Sequence, residues 1–169
     1  MKTKQWTQQT AFDWSVANLL RQRKKSIRAG VGCRLRAKTY KCAIGFLIPD
    51  KYYCEDMEGS LGETLDYLSD SHTELFDALM PVEALGAALQ YLHDETNITE
   101  WPKEARHIAR KFKLDSWILK EYTRNGNTIP DYVLETILEF IHPEIVADLL
   151  WKAEIPVKAE AGIPETIKT

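Results

Sequence analysis

The chain reads as mainly α, a compact single domain of five to seven helices with a small β-hairpin or irregular motif near residues 30–50. Three observations predict this. Apolar residues recur at helical spacing over most of the 169 residues, helix-start signals stand ahead of several of these runs, and the glycines and short alternations crowd into one early stretch. An apolar content of 44% with 10% aromatic residues is enough for one full-sized core.

The first helix is expected from Thr10, with Asp13 three residues on completing a capping box, and its end at Gly30 and Gly32. Phe12, Val16, Leu19, Leu20 and Ile27 would face the core, while Arg21, Lys24, Lys25 and Arg28 would share another side. Arg34-Leu35-Arg36-Ala37 then alternates as a half-exposed strand does, with Lys38-Thr39 as a hairpin turn. The apolar run from Cys42 to Ile48 fits a buried strand or a short helix equally, and Pro49 ends either.

From residue 60 the pattern is helical. Ser60 with Glu63 and Ser71 with Glu74 read as capping boxes, and Pro81 interrupts after Met80. Val82, Leu85, Leu89 and Leu92 make a narrow apolar seam. Pro102 suits a first turn ahead of Ala105, Ile108, Ala109 and Phe112, and another helix is expected from Asp115 through Trp117, Ile118 and Tyr122. Asn125-Gly126-Asn127 is a turn signal, after which Val133, Leu134, Ile137, Leu138 and Ile141 supply a stripe that His142-Pro143 breaks. A last helix would bury Ile145, Val146, Leu149 and Leu150. The domain is thus placed at residues 1–151, and residues 152–169, with Pro156, Gly162 and Pro164, form an extended or disordered tail.

Charge is divided along the chain although the net formal charge is only −3. From Arg21 to Lys41 there are nine Lys or Arg and no acid; from Asp50 to Glu100 there are thirteen acids and one Lys. Such polarity points to a binding protein, with Arg21, Lys24, Lys25, Arg28, Arg34 and Arg36 as the basic partner-binding residues and Glu55, Asp56, Glu58, Asp66 and Asp70 as the acidic ones. The basic segment, with Tyr40 as a stacking base platform, would also suit direct nucleic-acid binding, and the acidic block would suit mimicry of a phosphate backbone. Against both stands the plainer reading, in which the two halves neutralise each other or face solvent.

Candidate chemistry is sparse. Cys42, with His93 and Asp94 as base and orienting group, would make a thiol- or metal-assisted hydrolase, but cysteine among Ala43, Ile44, Phe46, Leu47 and Ile48 has the setting of a core residue. An adjacent His and Asp on a helix point about 100° apart, so His93 reads more simply as a helix-end residue. Cys33, Cys42 and Cys54 are odd in number and form no Cys-x-x-Cys pair, so free thiols, no metal and no cofactor are expected. Trp6 is either an interface anchor or a hydrophobic staple. No run is long enough to cross a bilayer and no secretory core opens the chain, so a soluble cytosolic protein is expected.

Lys41-Cys42-Ala43-Ile44-Gly45-Phe46-Leu47-Ile48-Pro49-Asp50, with Cys33 ahead of it and Glu58-Gly59 after, resembles a family of small uncharacterised proteins of tailed bacteriophages and prophages, whose pattern is similar to K-C-A-x-G-x-L-I-P-D followed by an acidic-Gly pair. Leu89-Gln90-Tyr91-Leu92-His93-Asp94, with Trp101 and Ile108-Ala109, resembles a later block of that family. The chain departs from it in carrying Phe46 where the family often has a second cysteine, and Arg34-Leu35-Arg36 where it often has a Tyr-Arg-Gly turn. The resemblance implies a viral setting and carries no catalytic residues. The expected function is that of a viral accessory protein in the host cytoplasm, binding stoichiometrically to a host protein or nucleoprotein complex, such as a defence or nucleic-acid-handling system, and modulating it. The two alternatives are direct nucleic-acid binding through residues 21–41 and hydrolysis at Cys42 or His93.

Overall fold

A single helix runs through the middle of the molecule, and four other helices pack on it. This is α1 (Gln8–Gln22) of a computed structural model that describes residues 4–151. Thr10, Ala11, Phe12, Asp13, Ser15, Val16, Ala17, Leu19 and Leu20 are all buried, so apolar or small side chains cover most of its circumference and not one stripe. Its N-cap is Thr7, in a reciprocal box with Thr10, three residues earlier than the sequence pattern suggested. Asp13 therefore caps nothing; it is buried and accepts from Trp117 Nε1 at 3.0 Å and Gln9 Nε2 at 2.9 Å.

The helix also stops earlier than expected. Arg23, at φ 52°, forms a left-handed cap whose N–H donates to the Leu19 carbonyl. Lys24, Lys25, Ile27 and Arg28 consequently lie beyond α1, and Ile27, expected in the core, is 54% exposed.

Two small antiparallel hairpins follow. β1 (Ile27–Arg28) pairs with β2 (Gly32–Cys33), and β3 (Arg36–Ala37) pairs with β4 (Tyr40–Lys41) across the Lys38-Thr39 turn. The second hairpin is the one the alternation predicts; the first was hidden inside the expected helix. Between β4 and Pro49 the chain is neither strand nor regular helix. It makes tight buried turns, with Phe46 N–H donating to the Cys42 carbonyl and Leu47 N–H to that of Ile44. Gly45 is required there because a Cβ would lie 2.2 Å from the Leu35 carbonyl oxygen.

The remaining helices are α2 (Leu61–Ser71), α3 (Thr73–Leu79), α4 (Glu83–Glu95), α5 (Trp101–Lys111), α6 (Trp117–Arg124), α7 (Asp131–Phe140) and α8 (Pro143–Leu150). Ser60 and Glu63 form the expected capping box, whereas Ser71 ends α2 and His72 precedes α3 without a side-chain cap. Met80–Val82 is a 3₁₀ turn bearing Pro81, and Val82, Leu85, Leu89 and Leu92 are all buried. Pro102 sits in the first turn of α5, and Gly126 and Asn127 adopt left-handed conformations between α6 and α7. α1 packs against α4, α5, α6 and α7. Trp6 is 2% exposed, its backbone N–H bonded to the Ala78 carbonyl, which removes it as an interface anchor. Leu150, expected in the core, is 58% exposed. The predicted tail at 152–169 lies outside the described residues. Among the described residues no helix is long and apolar enough to cross a membrane.

Two tests follow from this packing. Gly45→Ala should lower stability by about 3 kcal/mol in urea unfolding, since the Leu35 carbonyl must move and release the Cys42 N–H it accepts. Burial pushes the Asp13 carboxyl from its ordinary 3.8 up to about 6, against the hydrogen bonds from Trp117 and Gln9. The folded chain then holds this proton more tightly than the unfolded one, so the group's contribution to stability falls as pH rises from about 4 to about 6. Asp13→Asn should abolish that fall, worth about 3 kcal/mol, when unfolding free energies are compared across the window.

Candidate functional site

The chemistry-bearing residues gather where α4 ends against the hairpins. His93 is fully buried in the last turn of α4, its ring stacked on Trp101 with centroids 5.8 Å apart. Nε2 accepts the Ser26 backbone N–H at 2.9 Å, and Nδ1 lies 2.7 Å from Asp94 Oδ1. These partners fix the tautomer: with its Nε2 lone pair used by an N–H, the neutral ring carries its proton on Nδ1 and donates it to Asp94. The Asp94 side chain thus bends back to its neighbour despite the angular separation of successive helical positions. His93 does more than end a helix; it ties α4 to the segment entering β1.

Cys33, on β2, completes a group in which one ligand atom each from Cys33, His93 and Asp94 lies within 4.8 Å of the others. The arrangement has the spacing of a metal site but not its chemistry. A metal on Nδ1 would need the ring proton on Nε2, where it would face the Ser26 N–H, donor against donor. The thiol is equally unsuited to attack, because burial and the hydrogen-bonded Asp94 carboxylate push Cys33 up to about 11. Lys25 closes the cluster through its Nζ, which donates to the Asp94 carbonyl at 2.8 Å.

Cys42 lies away from any opening. It is 1% exposed, and burial pushes its thiol up to about 12 even though Gly45 N–H donates to Sγ. Of the Cys42–His93–Asp94 triad suggested by the sequence, only the His93–Asp94 bond is formed; the other ring nitrogen is taken by the Ser26 N–H, and Cys42 Sγ accepts from Gly45.

Part of the basic segment is paired with carboxylates of residues 50–58. Glu58, whose side chain is 5% exposed, accepts the backbone N–H groups of Leu35 at 2.7 Å and Arg36 at 3.1 Å and the Tyr53 hydroxyl at 2.6 Å, with Arg34 Nε 3.3 Å away. Arg36 spans Asp50 at 2.8 Å and the Ile48 carbonyl at 2.8 Å, and its guanidinium covers the Tyr53 ring at 4.4 Å. Lys41 also reaches Asp50, which these two cations hold below the usual carboxylate range in spite of its partial burial. Arg28 stands 4.0 Å from Glu55, Arg21 is paired with Asp131, and Lys24 lies over the Tyr40 ring. Glu55, Asp56, Asp66 and Asp70 are exposed. Residues of the resembling motif therefore act as structure: Gly45 admits the Leu35 carbonyl, Lys41 and Asp50 pair, and Glu58 holds the segment that enters β3.

Sequence reasoning overlooked Ser26, Cys33 and Tyr53 in these clusters. Only tertiary folding brings them in; no local spacing relates Ser26 to His93.

Alkylation by iodoacetamide at pH 8 tests the thiol assignment. Cys33 should react about tenfold more slowly than in the unfolded chain, because its thiolate is scarcer by about a hundredfold while each thiolate is about tenfold more nucleophilic. Cys42 should react only on unfolding. No known protein family, no curated protein and no solved structure matches the chain.

Proposed function

We propose that this protein works by stoichiometric docking on a macromolecular partner and not by turnover. One observation carries the reading: the hairpin pair is latched rigidly to the body by Glu58 and His93 while it holds Ile27 at 54% and Val31 at 58% exposure. A short two-stranded ribbon is unstable alone, so fixing it from beneath presents apolar side chains at little ordering cost on binding. The Cys33 and Cys42 thiols, by contrast, are pushed up by burial and the His93 ring is bonded at both nitrogens, which favours a binding surface over a reaction centre.

The resemblance to tailed-phage proteins gives the proposal its setting, a viral accessory protein acting on a host protein or nucleoprotein complex in the host cytoplasm. Affinity capture with the full chain from infected cells tests it. Binding should saturate at a fixed ratio, leave the captured target covalently unchanged, and weaken at least tenfold in Ile27→Asp with Val31→Asp while the thermal midpoint is retained. Turnover of many equivalents of a substrate, or effects undiminished by that double variant, would overturn the reading.

A further inference from the structure

Between the two hairpins lies a groove of about 590 Å³ lined by Arg28, Arg34, Arg36, Lys38, Ile27 and Glu55. We infer that this groove receives an acidic segment of a protein partner, whose carboxylate takes the place of Glu55 beside Arg28 and Lys38 while an apolar neighbour rests on Ile27. The inference rests on the docking function proposed above and assigns it a surface and a partner chemistry.

The chain itself shows what the groove's cations accept. Three carboxylates from residues 50–58 already approach its arginines: Glu58 at Arg34, Asp50 at Arg36 and Glu55 at Arg28. They are not held alike. Glu58 is anchored by two backbone N–H groups and a tyrosine, and Asp50 by two cations, whereas Glu55 is 78% exposed and only reaches 4.0 Å from an arginine itself 59% exposed. An exposed pair at that distance contributes little, so Glu55 is the carboxylate a partner can displace. Lys38, held out by a left-handed turn at φ 57°, adds a cation on the same wall.

A nucleic-acid strand fits less well. Its bases need open aromatic faces, yet Tyr40 is covered by Lys24 and Tyr53 by Arg36. Exposed Ile27 and Val31 beside arginines are the composition of a protein interface.

Fluorescence anisotropy at low salt with three labelled probes tests this: a short peptide alternating glutamate with leucine, the same peptide with lysine for glutamate, and a thymidine oligonucleotide. The glutamate peptide should bind and the lysine peptide should not. Glu55→Gln should tighten binding about threefold, and Arg28→Glu with Lys38→Glu should weaken it at least tenfold, with circular dichroism confirming that both variants fold. No glutamate-peptide binding, or no response to these substitutions, overturns the groove, as does tighter binding of the oligonucleotide. The affinity capture described above separates the failures. A target still captured by the Arg28→Glu, Lys38→Glu variant removes the groove and leaves docking intact, whereas loss of a fixed capture ratio in the unaltered chain removes docking itself.

Discussion

A single buried carboxylate organises the part of this molecule that helix packing cannot. The two hairpins contain two residues per strand and are far too short to persist unaided. Glu58 offers both oxygens to the backbone of Leu35 and Arg36, adds Tyr53, and draws Arg34 against the loop. Charge-assisted bonds to backbone N–H groups are among the stronger ones available, and burial on the hairpin's inner side removes the water that would otherwise compete for them. The same pairing draws part of the basic segment onto the loop of residues 50–58, Arg34 onto Glu58 and Arg36 with Lys41 onto Asp50.

His93 is the second fastening, and its role follows from hydrogen-bond accounting. The Ser26 N–H lies in the interior, just before β1, where an unpaired donor is costly. The imidazole supplies the missing acceptor, and Asp94 sets the tautomer that makes this work. What the sequence presents as a catalytic pair is used to seat a loop. Cys33 comes close to completing a ligand set, yet the nitrogen that would bind an ion is the one that carries the proton.

Much of the helical architecture was legible because its signals are local. Ser60 with Glu63, Pro102 in a first turn, the seam from Val82 to Leu92 and the Lys38-Thr39 turn each depend on residues a few positions apart. The end of α1 was not legible, because its left-handed cap is Arg23 and not a glycine, and the glycines that do follow belong to a hairpin. The segment from Cys42 to Ile48 was ambiguous for a physical reason: uniformly apolar residues satisfy any buried conformation, and the choice was made by the Ser15 hydroxyl and the Trp14 indole, which donate to the Ala43 and Phe46 carbonyls from α1. The clusters around Glu58 and His93 were invisible because they join positions separated by more than 20 and more than 60 residues. Fold class could therefore be read from spacing, while the meaning of the charged and titratable residues could not.

The central position of α1 sets an order on biosynthesis. This helix is made before the elements that wall it, and Gln9 bonds to the backbone of Asp115, Asp13 to Trp117 and Arg21 to Asp131. A helix whose walls arrive more than a hundred residues later must leave the ribosome with its apolar surface uncovered, and closure of the core waits until α7 emerges. The nascent chain is for that interval a client for chaperones, and any truncation before α7 yields not a smaller domain but an open one.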